Sequence, residues 1–168
     1  MSKELRVLLH LLDEAYEKKT WHGTNLKGSL RGLTAEEAAW RPSHARHNIW
    51  EIAVHCAYWK YTVRRRLLNE QRGSFPLKGS NWFKRPLALT EAAWKEDLHL
   101  LDATHRSLRD AVEHFPPSKL YATTPNSKYQ NIFAIYGVAN HDIYHAGQIQ
   151  LLKRLQADSI SQASLKRK

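Results

Sequence analysis

Only one cysteine occurs in the chain, Cys56, so no internal disulfide can staple it and no thiolate-rich zinc cluster can form. That fits a reducing compartment, and it leaves nitrogen and oxygen as the main donors for any metal. Long hydrophobic runs are missing too. The opening "MSKELRVLLHLLDEAYEKK" spaces its apolar residues among charges, unlike the continuous apolar segment of a signal peptide, and no stretch is long enough to span a bilayer. A cytoplasmic protein with no membrane partner is expected. Acidic residues are in deficit, 16 against 26 Lys and Arg, which leaves a formal charge of +10 and an electrostatic bias toward anionic partners. Part of that excess lies in Arg64 to Arg66 and in Lys166 to Lys168, read as a solvated helix end and a frayed tail. No recognised nucleic-acid-binding motif accompanies the charge, so nucleic acid is not the expected partner. Internal repeats, low-complexity tracts and alternating strand patterns are absent as well, and the fold class read from the pattern is all-α.

What is present is a set of helical stripes. The chain's 168 residues, 42% of them hydrophobic, suffice for one core and predict a single domain over 1–156, with a basic, flexible tail over 157–168. Leu5, Leu8, Leu12 and Ala15 draw one apolar face on a first helix, which ends by the glycine of "WHGTNLKG". A second helix opens at Asn48, a capping residue, with Glu51 placed to reach back in a box-like pairing, and its middle is apolar almost all round. In the third, Leu89 and Trp94 flank a Thr90 cap at staple spacing. Trp94, Leu98, Leu101, His105, Leu108, Val112 and Phe115 then keep a seven-residue rhythm until "FPPSK". The fourth begins at "PNSKYQNIF", with Ser127 and Gln130 at capping-box spacing, and runs to about Leu155. "LTAEEAAW" offers a brief extra turn through Thr34 and Glu37. The connections are long enough to cross between non-adjacent helices.

Histidines carry the chemistry. His141 and His145 in "NHDIYHAGQIQLLKR" are one turn apart and displaced by only about 40°, so they share a helix face with Val138 and Leu152, which should look inward. Two buried imidazoles need partners, and a divalent cation accepts a lone pair from both. A catalytic metal usually takes three protein ligands and keeps an open position. His55 on the apolar second helix can supply the third, and Glu51, one turn before it, could hold its other ring nitrogen. His105 is the rival, although a core histidine satisfied by a hydrogen bond explains it better. His10, His44, His99 and His114 read as surface residues, His47 as a helix-entry cap, and Cys56 as a small buried hydrophobe. Tyr144 and Gln148 follow the histidine pair by three residues each, and Trp21 with His22 could line the mouth of the site. Asp142, turned about 100° from its neighbour, suits a surface role as well as a supporting one.

Across nearly its whole length the chain resembles the DinB/YfiT-like superfamily of metal-binding four-helix bundles. The carrying segments are "WHGTNLKGSLRGLTAEEAAWRP", "HNIWEIAVHCAYWKYTVRRRL", "NWFKRP", "LTEAAWKEDLHLL" and "HDIYHAGQIQLLKR". The resemblance implies a four-helix bundle with long crossover connections, a homodimer, and His55, His141 and His145 as ligands of a divalent metal. The resemblance implies zinc or nickel first, with manganese or iron as further choices, and the nitrogen-rich donor set does not choose among them. It also implies a metal-dependent transferase or hydrolase that uses a low-molecular-weight thiol on a small-molecule substrate. A non-catalytic metal-binding bundle acting through dimerisation or protein interaction is the alternative. No residue stands out in the sequence as a general acid or base.

Overall fold

The apolar stripes become long helices in the computed structural model, which describes residues 1–123 and 127–165. Six α-helices form among them: α1 (Lys3–Tyr16), α2 (Leu26–Leu30), α3 (Ala35–Ala39), α4 (Ile49–Leu67), α5 (Glu91–Glu113) and α6 (Asn131–Leu165), with a single 3-10 turn at Pro117–Lys119. No strand forms among the described residues, and an isolated bridge joins Thr123 to Gln130. No described helix is long and apolar enough to cross a membrane.

Polar side chains set where the helices start. Ser2 caps α1, Asn48 caps α4 and Thr90 caps α5, each accepting a bond from the backbone N–H three residues on. Thr34 and Glu37 close a full capping box on α3. At α4 only half of the expected box forms, because the Glu51 carboxylate is taken by Arg41 and His47 instead. Leu89, expected to staple onto Trp94, stays mostly exposed, while Trp94 is buried and donates its indole N–H to the Leu33 carbonyl. The Ser127 hydroxyl accepts from the Tyr129 N–H in a local turn, so α6 starts at Asn131 rather than at the expected capping box. Pro125 and Asn126 of that expected start lie outside the described residues, as do Lys166 to Lys168 of the expected tail. The helix also runs on past Leu155 to Leu165.

Two apolar clusters make the core. One gathers Trp50, Ile52, Trp94, Leu101 and Ile149, and the other Leu8, Leu12, Leu108, Val112, Ile135 and Val138. Helix α4 packs against both α5 and α6, and α1 packs against α5 and α6. Buried positions of α6 include Ile135, Val138, Asp142, His145, Ile149 and Leu152, a seven-residue repeat that points one seam at the rest of the molecule, with Asn131, Ala139 and Ala146 buried beside it. That seam and α4 carry the histidines of the site.

Asn48 does more than cap. Its side-chain oxygen accepts from the Glu51 N–H at 2.7 Å, while its amide donates to the carbonyls of Arg85 at 2.8 Å and Ala39 at 3.3 Å. The residue is fully buried, so Asn48→Ala strands these groups without water. Loss of a cap plus buried bonds is expected to cost about 2 kcal/mol, read as a fall in the urea midpoint with unchanged slope.

Candidate metal centre

Facing positions on α4 and α6 bring three imidazoles together. The Nε2 atoms of His55 and His145 lie 3.0 and 3.1 Å from Nε2 of His141. His55 and His145 are buried and His141 is half-buried. Candidate ligand atoms of all three fall within 4.8 Å of one another.

The other ring nitrogens decide what this cluster can do. His55 Nδ1 sits 2.7 Å from the Asn81 carbonyl oxygen, which can only accept, so Nδ1 carries the proton and Nε2 presents a lone pair. His145 Nδ1 is 2.7 Å from the Gln148 side-chain oxygen, whose amide nitrogen donates to the Tyr144 hydroxyl, and the same reasoning leaves its Nε2 as a lone pair. His141 Nδ1 is buried without a partner. At least two lone pairs therefore point at a third nitrogen, an arrangement a cation relieves.

Burial pushes the His55 pKa down to about 4, against the opposing bond to Asn81, and pushes His141 down to about 3, with His145 and His55 adding to the effect. His145 is lowered by burial as well. All three rings are neutral at neutral pH and ready to coordinate. Tetrahedral zinc with bonds of roughly 2.0–2.1 Å would place its nitrogens about 3.3 Å apart. The 3.0 and 3.1 Å separations are close to that, so the donor set fits a divalent ion.

Trp82 stacks on His55 with centroids 3.8 Å apart and on His47 at 3.7 Å. Asn81 and Trp82 come from the connection between α4 and α5, and Asn81 Oδ1 also accepts from the Trp59 indole N–H at 3.0 Å. A groove of about 530 Å³ opens beside His145, bordered by His47, Ile52, Trp82, Tyr144, Gln148 and Leu152.

Several expectations need correction. Glu51 does not orient His55: its carboxylate is gripped at both oxygens by Arg41, at 2.6 and 2.9 Å, and meets His47 Nδ1 at 2.9 Å. Burial raises the Glu51 pKa, but these bonds outweigh it and hold the group ionised. The role assigned to Glu51 falls instead to the Asn81 carbonyl. Trp21, 97% exposed, and His22 do not border the groove beside His145. Asp142 is not a surface residue but fully buried in an ion pair with Lys60, itself fully buried. Cys56, His141 and Asp142 also approach one another, but the Lys60 ammonium already occupies that carboxylate and repels a second cation. Burial lifts the Cys56 thiol well above its usual range.

His105 lacks the hydrogen bond expected of it. Both its ring nitrogens are buried without partners, and it stacks on Tyr16 at 3.9 Å, well away from the three-histidine cluster in sequence and partners. Burial, reinforced by Lys60, Arg109, Lys27 and Arg106, lowers its pKa to about 2. Tyr16, stacked against it, hydrogen-bonds Asp102. In the unfolded chain the imidazole titrates near its ordinary value of about 6.5. Between these values the unfolded state binds more protons than the folded one, so stability rises with pH through this window and falls on acidification. Urea titrations from pH 7 to 4 should therefore show a shallower loss of stability in His105→Leu than in the wild type.

Sequence reasoning missed Lys60, Arg41, Asn81 and Trp82. A lysine inside an otherwise apolar helix is a signal for a buried partner, and "NWFKRP" marked the segment that covers His55 without saying how.

The fold and site define an all-helical protein with a buried cluster of histidines compatible with metal binding. A model of the DinB superfamily matches residues 20–149, and the chain belongs to that superfamily. No curated protein and no solved structure matches it.

Proposed function

We propose that the chain is a metal-dependent transferase or hydrolase of small molecules, using a low-molecular-weight thiol, with His55, His141 and His145 as the metal ligands. The carrying observation is the convergence of three imidazole Nε2 atoms, two of them with lone pairs fixed by outer hydrogen bonds. Zinc or nickel is the first choice of ion, with manganese or iron behind them. The ion supplies a Lewis acid that lowers the pKa of a thiol or water held beside it.

The chain's own groups do the rest. The Asn81 carbonyl and Gln148 hold His55 and His145 in the tautomer that presents Nε2. Trp82 covers His55, and the apolar side of the groove, Ile52 and Leu152, excludes water from the substrate. Tyr144, bonded to Gln148 at 3.0 Å and 64% exposed, is the hydroxyl best placed to pass a proton to solvent.

On this reading α1, α4, α5 and α6 form the four-helix bundle, with crossover connections carrying α2 and α3, and residues 1–156 are one domain. A homodimer would cover Leu151 and Leu155, which α6 leaves exposed beside the groove. Protein loaded with zinc or nickel and assayed against panels of thiols and electrophiles should consume both only with metal, and His55→Ala should abolish turnover. Bound metal with no turnover of any pair would instead favour a non-catalytic bundle that works through its partner copy.

A further inference from the structure

The connection between α4 and α5 folds back over the outer face of α4 and borders a second, solvent-open cavity, about 780 Å³ in volume, separate from the groove beside His145. Arg65, Arg66, Arg72 and Lys78 line it, and no acidic side chain does. Arg65 gives one N–H to the Glu70 carbonyl at 2.8 Å, and the Glu70 carboxylate is taken by Arg64, which does not line the cavity. Arg66, Arg72 and Lys78 have no ion-pair or side-chain hydrogen-bond partner among the described residues. Cations in the last turn of α4 complement the helix dipole, which accounts for Arg65 and Arg66. That explanation does not reach Arg72 and Lys78, which lie on the connection beyond the helix and border the same space.

The remaining wall is aromatic. Tyr58, Trp59 and Phe75 are half-buried, so part of each ring faces the cavity. Concentrated positive charge without a counter-carboxylate calls for a ligand carrying more than one negative charge. Guanidinium forks match phosphate oxygens in geometry as well as sign. Aromatic walls take planar rings by stacking, and the volume lies inside the range of about 300–1,000 Å³ usual for small-molecule sites.

We propose that this cavity binds a phosphorylated small molecule bearing a planar ring, of nucleotide size, with Arg66, Arg72 and Lys78 on the phosphate and Trp59 and Phe75 against the ring. The inference does not depend on the metal reading. The two sites share a wall: Asn81, whose side chain accepts from Trp59, also holds His55 through its carbonyl, so a bound ligand has a short route to the histidines.

Calorimetric titration of the purified protein with AMP tests this, with adenosine, inorganic phosphate and a single-stranded oligonucleotide as comparisons. Saturable binding of AMP at one per chain is expected. Adenosine should bind more weakly by about tenfold or more, the least that losing a charge-assisted bond entails, and inorganic phosphate by about fivefold or more, the least that losing a stacked ring entails. Arg66→Ala/Arg72→Ala should weaken AMP by about tenfold or more while metal content stays as in the wild type and the urea midpoint falls by no more than the loss of one helix-end cation entails. No saturable AMP binding up to millimolar concentration, equal affinity in the double variant, or binding confined to the oligonucleotide would overturn the proposal. AMP binding that disappears in His141→Ala but survives in the double arginine variant would overturn it too, by placing the phosphate at the histidines.

Discussion

Single replacement of His55, His141 or His145 by alanine is expected to reduce the first-row metal retained after dialysis from about one ion per chain to nearly none. The three nitrogens converge on one point, and removing one leaves two ligands and a void where the third imidazole stood. The loss should exceed the roughly 10–100-fold in affinity that removal of an outer hydrogen-bond partner costs. Gln148→Leu, which takes away the acceptor on His145 Nδ1, should fall in that lower range. His105→Ala should retain the ion, because His105 packs on Tyr16 and not on the cluster. Elemental analysis of the five proteins beside the wild type gives the answer, and metal retained in both His55→Ala and His145→Ala would end the assignment.

Lys60→Met is expected to destabilise the metal-free protein by about 3–5 kcal/mol, the range for removing one partner of a buried pair. Lys60 and Asp142 have no measurable side-chain exposure, and Asp142 Oδ1 has no other partner. Burial raises the Asp142 pKa to about 6 even with Lys60 pulling the other way, so without the ammonium the carboxylate would be forced to protonate or to draw in water. Lys60→Met/Asp142→Leu removes both charges and should recover most of the loss. Urea denaturation in the presence of a chelator separates these variants. A change below about 1 kcal/mol in the single variant would mean that the pair is wetter than its burial implies.

The histidine pair was legible because helix geometry alone puts His141 over His145, and the caps at Asn48, Thr90 and Thr34 because their bonds close within three residues. Legibility failed where a partner came from far along the chain. Glu51 looked like the support of His55 by spacing, yet Arg41, on the segment before α4, takes the Glu51 carboxylate with two charged hydrogen bonds. The Asn81 carbonyl is a backbone atom, and no side-chain pattern announces it. Asp142 was left open between a surface and a supporting role because the inward seam was centred on the His141 and His145 pair. The seven-residue repeat through Val138, Asp142, His145, Ile149 and Leu152 puts the aspartate inward and leaves His141 at the seam's edge. The buried lysine that makes such a position tolerable is on another helix, 82 residues away.

His141 and His145 stand on a long helix, but His55 takes its orientation from Asn81 and its cover from Trp82, both outside any helix. Segments of this kind open with smaller free energies than the helices they bridge. If the three nitrogens hold an ion as proposed, its residence time would then be set by how often residues 81 and 82 lift away, not by how often the helices unfold. On that reading a protein with slow global unfolding would still exchange a bound ion quickly with the surroundings, and anything that tightens that segment would act as a clamp on exchange.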